Sequence, residues 1–162
     1  MNNCTIKIEF NQDDINIINQ IQTIYPKKEA SLLPVLWYSQ NKFGWISDEV
    51  VILIANHLDI SPSKVYGVIS FYSMFHKKPV GKYHIQVCTN VSCLLKNGVK
   101  IFNYISDKLG IKNSEVTNDG LFSIEEVECM GACAGAPMIA INEDYYENIT
   151  FEKIDELLGC LK

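Results

Sequence analysis

The sequence predicts an α+β protein in two parts. A helical bundle occupies residues 1–79, and a domain of short strands and helices with a small mixed β-sheet occupies residues 80–162. Three observations predict this. Apolar residues recur at helical spacing between capping signals as far as Phe75. Pro79 and Gly81 then mark a change, after which Lys82–Val87 alternates apolar and polar residues as a strand does. Finally, two close pairs of cysteines each follow directly on a strand pattern.

In order along the chain, Asp13 and Asp14 open a helix with Ile15, Ile18, Ile21 and Tyr25 on one face, stopped by Pro26. Glu29–Phe43 carries Leu32, Leu33, Leu36, Trp37 and Gln40 at helical spacing and ends at Gly44, with Pro34 in the first turns, where proline is tolerated. Ser47 caps a third helix to about Leu58, its first turn acidic. Ser61-Pro62 starts a fourth, serine at N-cap and proline at N1, running to Phe75. Tyr83, Ile85 and Val87 then share one strand face, His84 and Gln86 the other. Leu94–Leu109 reads as one helix closed by Gly110, weakened at Gly98. Leu121–Glu128 and Met138–Ile141 read as strands, Asn142–Asp144 as a turn, and Tyr145-Tyr146 as the start of a hairpin strand. Thr150 caps a last helix, Phe151–Leu161.

Composition narrows the function. Hydrophobic residues make up 48% and charged residues 20%, which excludes a disordered chain. The net charge is −5 and every basic residue is lysine, which argues against nucleic-acid recognition, a task that leans on the arginine fork. The longest apolar run, Val50–Ala55, is far short of the ~20 residues of a membrane span. The stretch MNNCTIKIEFNQDD has no apolar signal core and no Arg-rich character. The expectation is a reducing, cytosol-like compartment, with peripheral attachment to a membrane complex left open.

In such a compartment paired cysteines read as metal-binding or redox-active rather than as a disulfide framework. Cys88 and Cys93 form C-x4-C between a strand and a helix, and Cys129 and Cys133 form C-x3-C between two strands. If the strands are neighbours in one sheet, the four sulfurs converge on one rim. Four thiolates there suit a [2Fe–2S] cluster. The small residues of Cys129–Ala136 let backbone N–H groups approach sulfur, and Cys93 at a helix start gains from the dipole. Glu125, Glu126 and Glu128 oppose a negative cluster if they point inward. A structural zinc site, four metal-free buried thiols, and a thioredoxin-type dithiol (which needs C-x-x-C) are the competing readings.

The residues from Ser61 to Lys162 resemble the family of [2Fe–2S] subunits of NADH:quinone oxidoreductase, respiratory complex I, the small flavoprotein-associated subunits known in bacteria as the E subunit. The resemblance is carried by VYGVISFYSMF at residues 65–75, KPVGKYHIQVCT at 78–89, EVECMGAC at 126–133 and APM at 136–138, with FGWI at 43–46 as a looser match. It implies a helical N-terminal bundle followed by a thioredoxin-like ferredoxin domain, with Cys88, Cys93, Cys129 and Cys133 holding one [2Fe–2S] cluster. It also implies a larger flavoprotein partner that carries FMN and binds NADH, other peripheral-arm partners, and a location on the cytoplasmic side of a bacterial inner membrane (the matrix side for a mature organellar chain). The cluster of this family exchanges single electrons with the flavin and lies off the main route to quinone. The subunit has no turnover alone, and catalysis belongs to the translocase. The same role in a soluble NAD-linked hydrogenase or formate dehydrogenase is the alternative, and a zinc-stabilised interaction scaffold is a further one.

Other residues have plainer readings. Phe71, Tyr72, Met74 and Phe75 read first as core packing, with a partner surface as the alternative; Trp37 and Trp45 read as core. His84 shares a strand face with Cys88, but a mixed His/Cys cluster needs a second histidine beside it, so His84 reads as a bystander or an outer partner. Cys4 and Cys160 read as free thiols, and Lys77, Lys78 and Lys82 as a solvated basic run, with docking to an acidic partner as the alternative. The isomer of the Ala136-Pro137 bond is left open.

Overall fold

The computed structural model describes residues 8–161, and the chain divides into two compact units, Met1–Pro79 and Val80–Lys162. The first is four helices: α1 (Gln12–Thr23), α2 (Leu32–Phe43), α3 (Asp48–Leu58) and α4 (Pro62–Phe71). Helix α1 starts one residue before the expected acidic pair. Asn11 accepts from the Asp14 N–H, and the Asp14 carboxylate accepts from the Asn11 N–H at 2.7 Å, a reciprocal cap. Tyr25 lies beyond the helix and is exposed. A short 3-10 turn, Lys28–Ser31, replaces the expected first turn of α2. Ser47 caps α3 through the Val50 N–H. Ile18, Leu36, Val50, Ile54, Leu58 and Val65 form the centre of this unit's core.

Three expectations fail here. Helix α4 stops at Phe71, because Tyr72 turns to extended backbone. Phe75 is then drawn back into the core, but Phe71, Tyr72 and Met74 are exposed, Phe71 by 80%. Trp37 is 37% exposed and Trp45 only part-buried. The buried face of α2 is Leu32, Val35, Leu36, Ser39 and Gln40, which leaves Trp37 at its margin, edge-on to Phe75. Gln40 is buried because it bridges a loop. Its Nε2 donates to the Met74 carbonyl at 2.9 Å, and its Oε1 accepts from the His76 N–H at 2.7 Å.

The second unit holds a four-stranded sheet in the order β2-β1-β3-β4. Its strands are β1 (Tyr83–Cys88), β2 (Phe122–Val127), β3 (Ile139–Ile141) and β4 (Asp144–Tyr146). Strands β1 and β2 are parallel, with Tyr83 opposite Phe122 and Cys88 opposite Val127. A parallel pair needs a crossover, supplied by α5 (Val91–Leu95) and α6 (Gly98–Leu109). Strand β3 runs antiparallel to β1, and β4 antiparallel to β3. Helix α7 (Phe151–Cys160), capped by Thr150, closes the unit. One sheet face carries Ile85, Val87, Phe122, Ile124, Ile139 and Ile141 into a core with Ile101, Ile105, Ile154 and Leu158.

The expected single helix 94–109 is broken. Asn97 takes a left-handed φ of 69° between α5 and α6, and Leu94 and Leu95 are exposed rather than on a buried stripe. Residues 114–117, for which the sequence reading has no element, run along the outer edge of β2. The Ser114 N–H donates to the Ile124 carbonyl at 2.8 Å, and the Thr117 N–H to the Phe122 carbonyl at 2.8 Å. Among the described residues no helix is long and apolar enough to cross a membrane.

Candidate metal centre

Topology places the cysteines. Because β1 and β2 are parallel neighbours, their C-terminal ends share one rim of the sheet, and antiparallel β3 begins at that rim. Cys88 is the last residue of β1, Cys93 lies on α5, and Cys129 and Cys133 lie on the connection from β2 to β3. The Thr89 N–H donates to the Val127 carbonyl and the Cys88 N–H to the Met138 carbonyl at 3.4 Å, tying the first loop to both ends of the second.

The four thiols differ in surroundings. Cys88 and Cys93 are buried in an apolar nest with Ala136 and Met138, against which Met130 and Ala132 pack. Cys88 Sγ donates to the Glu128 carbonyl at 3.0 Å. Burial pushes the Cys93 thiol up to about 11, reinforced by its hydrogen bond with Cys88 and by the like charges of Cys88 and Cys133; a backbone hydrogen bond from Met138 works the other way. Cys129 and Cys133 are exposed, their sulfurs 3.9 Å apart. The Gly131 N–H donates to Cys129 Sγ at 3.4 Å from a turn with a left-handed φ of 82°. That is one of the expected N–H to sulfur approaches.

The donor set fits a thiolate-bound iron–sulfur group. Two sulfurs on one tetrahedral metal at about 2.3 Å stand about 3.8 Å apart, close to the 3.9 Å of Cys129 and Cys133. Among the described residues no three His, Cys, Asp or Glu side chains converge on a single ion. A [2Fe–2S] cluster asks for four cysteines spread over two irons rather than four around one point. The described cysteines are free thiols.

Neighbouring residues resolve differently from expectation in places. Cys93 is not at the start of a long helix; it lies within the five-residue α5, too short for a helix-dipole argument. The glutamates are engaged by other groups: Glu125 with His84 and Gln86, Glu126 with Thr89, Glu128 with Asn90. Both ring nitrogens of His84 are occupied, Nδ1 at 2.8 Å from Ser123 Oγ and Nε2 at 3.1 Å from Glu125 Oε2. A carboxylate only accepts. In the neutral ring, Nε2 therefore carries the proton and Nδ1 accepts from Ser123. His84 is an outer partner of the strand pair, not a ligand. Cys160 is an exposed free thiol, as expected, and Cys4 falls outside the described residues. The Ala136-Pro137 bond is cis. The sequence reading misses the Met138 and Glu128 carbonyls as partners of Cys88; backbone acceptors carry no residue-type signal.

Comparison with known proteins identifies the family. A family model described as thioredoxin-like [2Fe-2S] ferredoxin matches residues 18–162. The NADH-quinone oxidoreductase E subunit of Rickettsia bellii is 39% identical over 165 aligned residues, covering 100% of this chain and 99% of that one. Its Rickettsia felis counterpart is 41% identical over 152 residues, covering 92% of this chain and 91% of its own. Among solved structures, an NAD+-reducing [NiFe]-hydrogenase in the air-oxidised state superposes with a TM-score of 0.71 at 19% identity. It covers 80% of this chain but only 22% of the hydrogenase chain, so the likeness is one of fold. The fold, the four-thiol rim and the match over nearly the whole length agree: the chain belongs to the thioredoxin-like [2Fe–2S] ferredoxin family.

Proposed function

We propose that this protein is the electron-carrying E subunit of an NADH–quinone oxidoreductase, with Cys88, Cys93, Cys129 and Cys133 as the ligands of one [2Fe–2S] cluster. The observation that carries the reading is the single rim on which parallel β1 and β2 present both cysteine pairs, joined to full-length similarity to proteins of that name. A bound cluster takes up and returns one electron at a time. The chain's own part is to hold it. The apolar nest of Ala136 and Met138 excludes water from the Cys88 and Cys93 side, and the exposed Cys129 and Cys133 leave the other side open to a partner.

On this reading the electron partner is a larger subunit with FMN and an NADH site, and the chain alone has no turnover. It sits with other peripheral-arm subunits on the cytoplasmic face of a bacterial inner membrane. The fold likeness to the NAD+-reducing hydrogenase supports a second reading, the same role in a soluble NAD-linked complex; co-purification of the native partner separates the two.

The test is anaerobic purification of the full chain with iron, sulfide and zinc analysis and EPR after dithionite. About two irons per chain and a paramagnetic signal on reduction are expected. Cys88→Ala and Cys133→Ala should each lose the iron and the signal. Iron content unchanged in those variants overturns the ligand assignment. About one zinc per chain in a colourless protein turns the reading to a zinc-stabilised scaffold.

A further inference from the structure

Gly98 opens α6 without the left-handed φ that would by itself ask for glycine. Nothing in its backbone conformation requires glycine, and alanine is the better helix former. What singles it out is what lies against it. A Cβ at this position falls 2.7 Å from the Cys88 carbonyl oxygen, 2.9 Å from the Cys93 carbonyl oxygen and 3.0 Å from the Cys93 carbonyl carbon. All three atoms are backbone, so no side-chain rotation relieves the contact. They belong to the two buried thiol residues of the centre and to no others. Gly135, by contrast, is crowded by the Glu147 side chain, and the helical Gly67 and Gly159 have nothing within 4 Å of a Cβ.

We infer that Gly98 is a positioning residue for the metal centre: its bare α-carbon lets the start of α6 seat against the Cys88 and Cys93 carbonyls together and so sets the spacing of the two loops that carry the buried ligands. The left-handed Asn97 belongs to the same device. It breaks the helix after α5, which carries Cys93, and swings Gly98 back against that residue's carbonyl. An added methyl pushes the Cys88 loop away from α5, away from α6, or both. The inference rests on the ligand assignment made above and deepens it.

The test compares the full wild-type chain with Gly98→Ala, Gly67→Ala and Gly159→Ala, all purified anaerobically. Iron and sulfide per chain, EPR g-values after reduction and the midpoint potential are measured, together with urea unfolding of the metal-free chains. In Gly98→Ala the metal-free chain should stay folded and unfold at a modestly lower urea concentration than wild type, since the contact with the two carbonyls is there without metal. The loaded chain should show displaced g-values and potential and about a 10-fold or greater loss of metal affinity, the range seen when outer partners of a metal site are altered. Gly67→Ala and Gly159→Ala should keep the wild-type iron content, g-values and potential, and their metal-free chains should unfold at an equal or higher urea concentration. Wild-type iron content, g-values and potential in Gly98→Ala overturn the inference. So does a metal-free Gly98→Ala chain that does not fold, because the contact then serves the fold and not the centre. A wild-type chain that takes up no iron overturns instead the function proposed above.

Discussion

Asp14 is buried in the helical unit and holds three groups in place. It accepts from Tyr38 OH at 2.6 Å and from the Asn11 N–H at 2.7 Å, stands 2.8 Å from Lys42 Nζ, and completes the cap of α1. Burial, the largest single influence, pushes its pKa up. The hydrogen bonds of Lys42, Tyr38 and Asn11 and the charge of Lys42 together outweigh it and hold the carboxyl below its ordinary 3.8. The same hydrogen bond, with burial, lifts the Tyr38 phenol to about 12. A carboxyl with a depressed folded pKa contributes stability above its unfolded value and loses it as pH falls through the folded one. Asp14→Ala should therefore cost about 2 kcal/mol at pH 7, from the lost cap and the orphaned phenol. That cost should shrink as pH falls below 3.8, which urea unfolding across pH 7 to 3 checks. Asp14 was visible in the sequence only as a helix-start acid. Its burial depends on Tyr38 and Lys42, 24 and 28 positions away, which no local pattern connects.

At the scale of elements, helix identity was legible and helix phase was not. Helices α1 to α4 each begin close to where caps and periodicity put them, because Ser47, Pro62 and Gly44 act through neighbouring backbone alone; Ser61 precedes α4 without a side-chain cap bond. The buried face of α2 instead includes Val35 and Ser39, and excludes Trp37, because loop 74–76 returns Phe75 into the core beside it. The break between α5 and α6 is likewise a tertiary matter. Gly98 announces a weak point, but the turn itself is made by the left-handed Asn97. Helix α6 holds the sheet through Ile101 and Ile105. Ile105 is fully buried, so Ile105→Ala should cost about 2–5 kcal/mol in urea unfolding, with the iron ligands untouched. A loss below 1 kcal/mol, roughly the cost of a single methylene, would mean that α6 contributes little to the core.

Across the whole molecule, β1 and the β2–β3 connection are held to each other at the rim by few backbone bonds, among them Thr89 to Val127 and Cys88 to Met138. A cluster bridging the two loops supplies the stronger tie, since metal binding free energy is also folding free energy. Stripping iron from the loaded full chain should lower hydrogen-exchange protection at Cys88–Leu95 and Val127–Met138 and leave it intact around Leu36 and Ile54. Loss spread evenly over both units would overturn this. Caps, strand alternation and cysteine spacing are local and specific to residue type, so the α+β class, most of the elements in their order and the two cysteine pairs are legible in the amino acids. The parallel pairing that gathers the thiols on one rim, the burial of Cys88 and Cys93 against the exposure of Cys129 and Cys133, and the seating of Gly98 are not. Those depend on which distant backbones come together, and backbone carbonyls are the same in every residue.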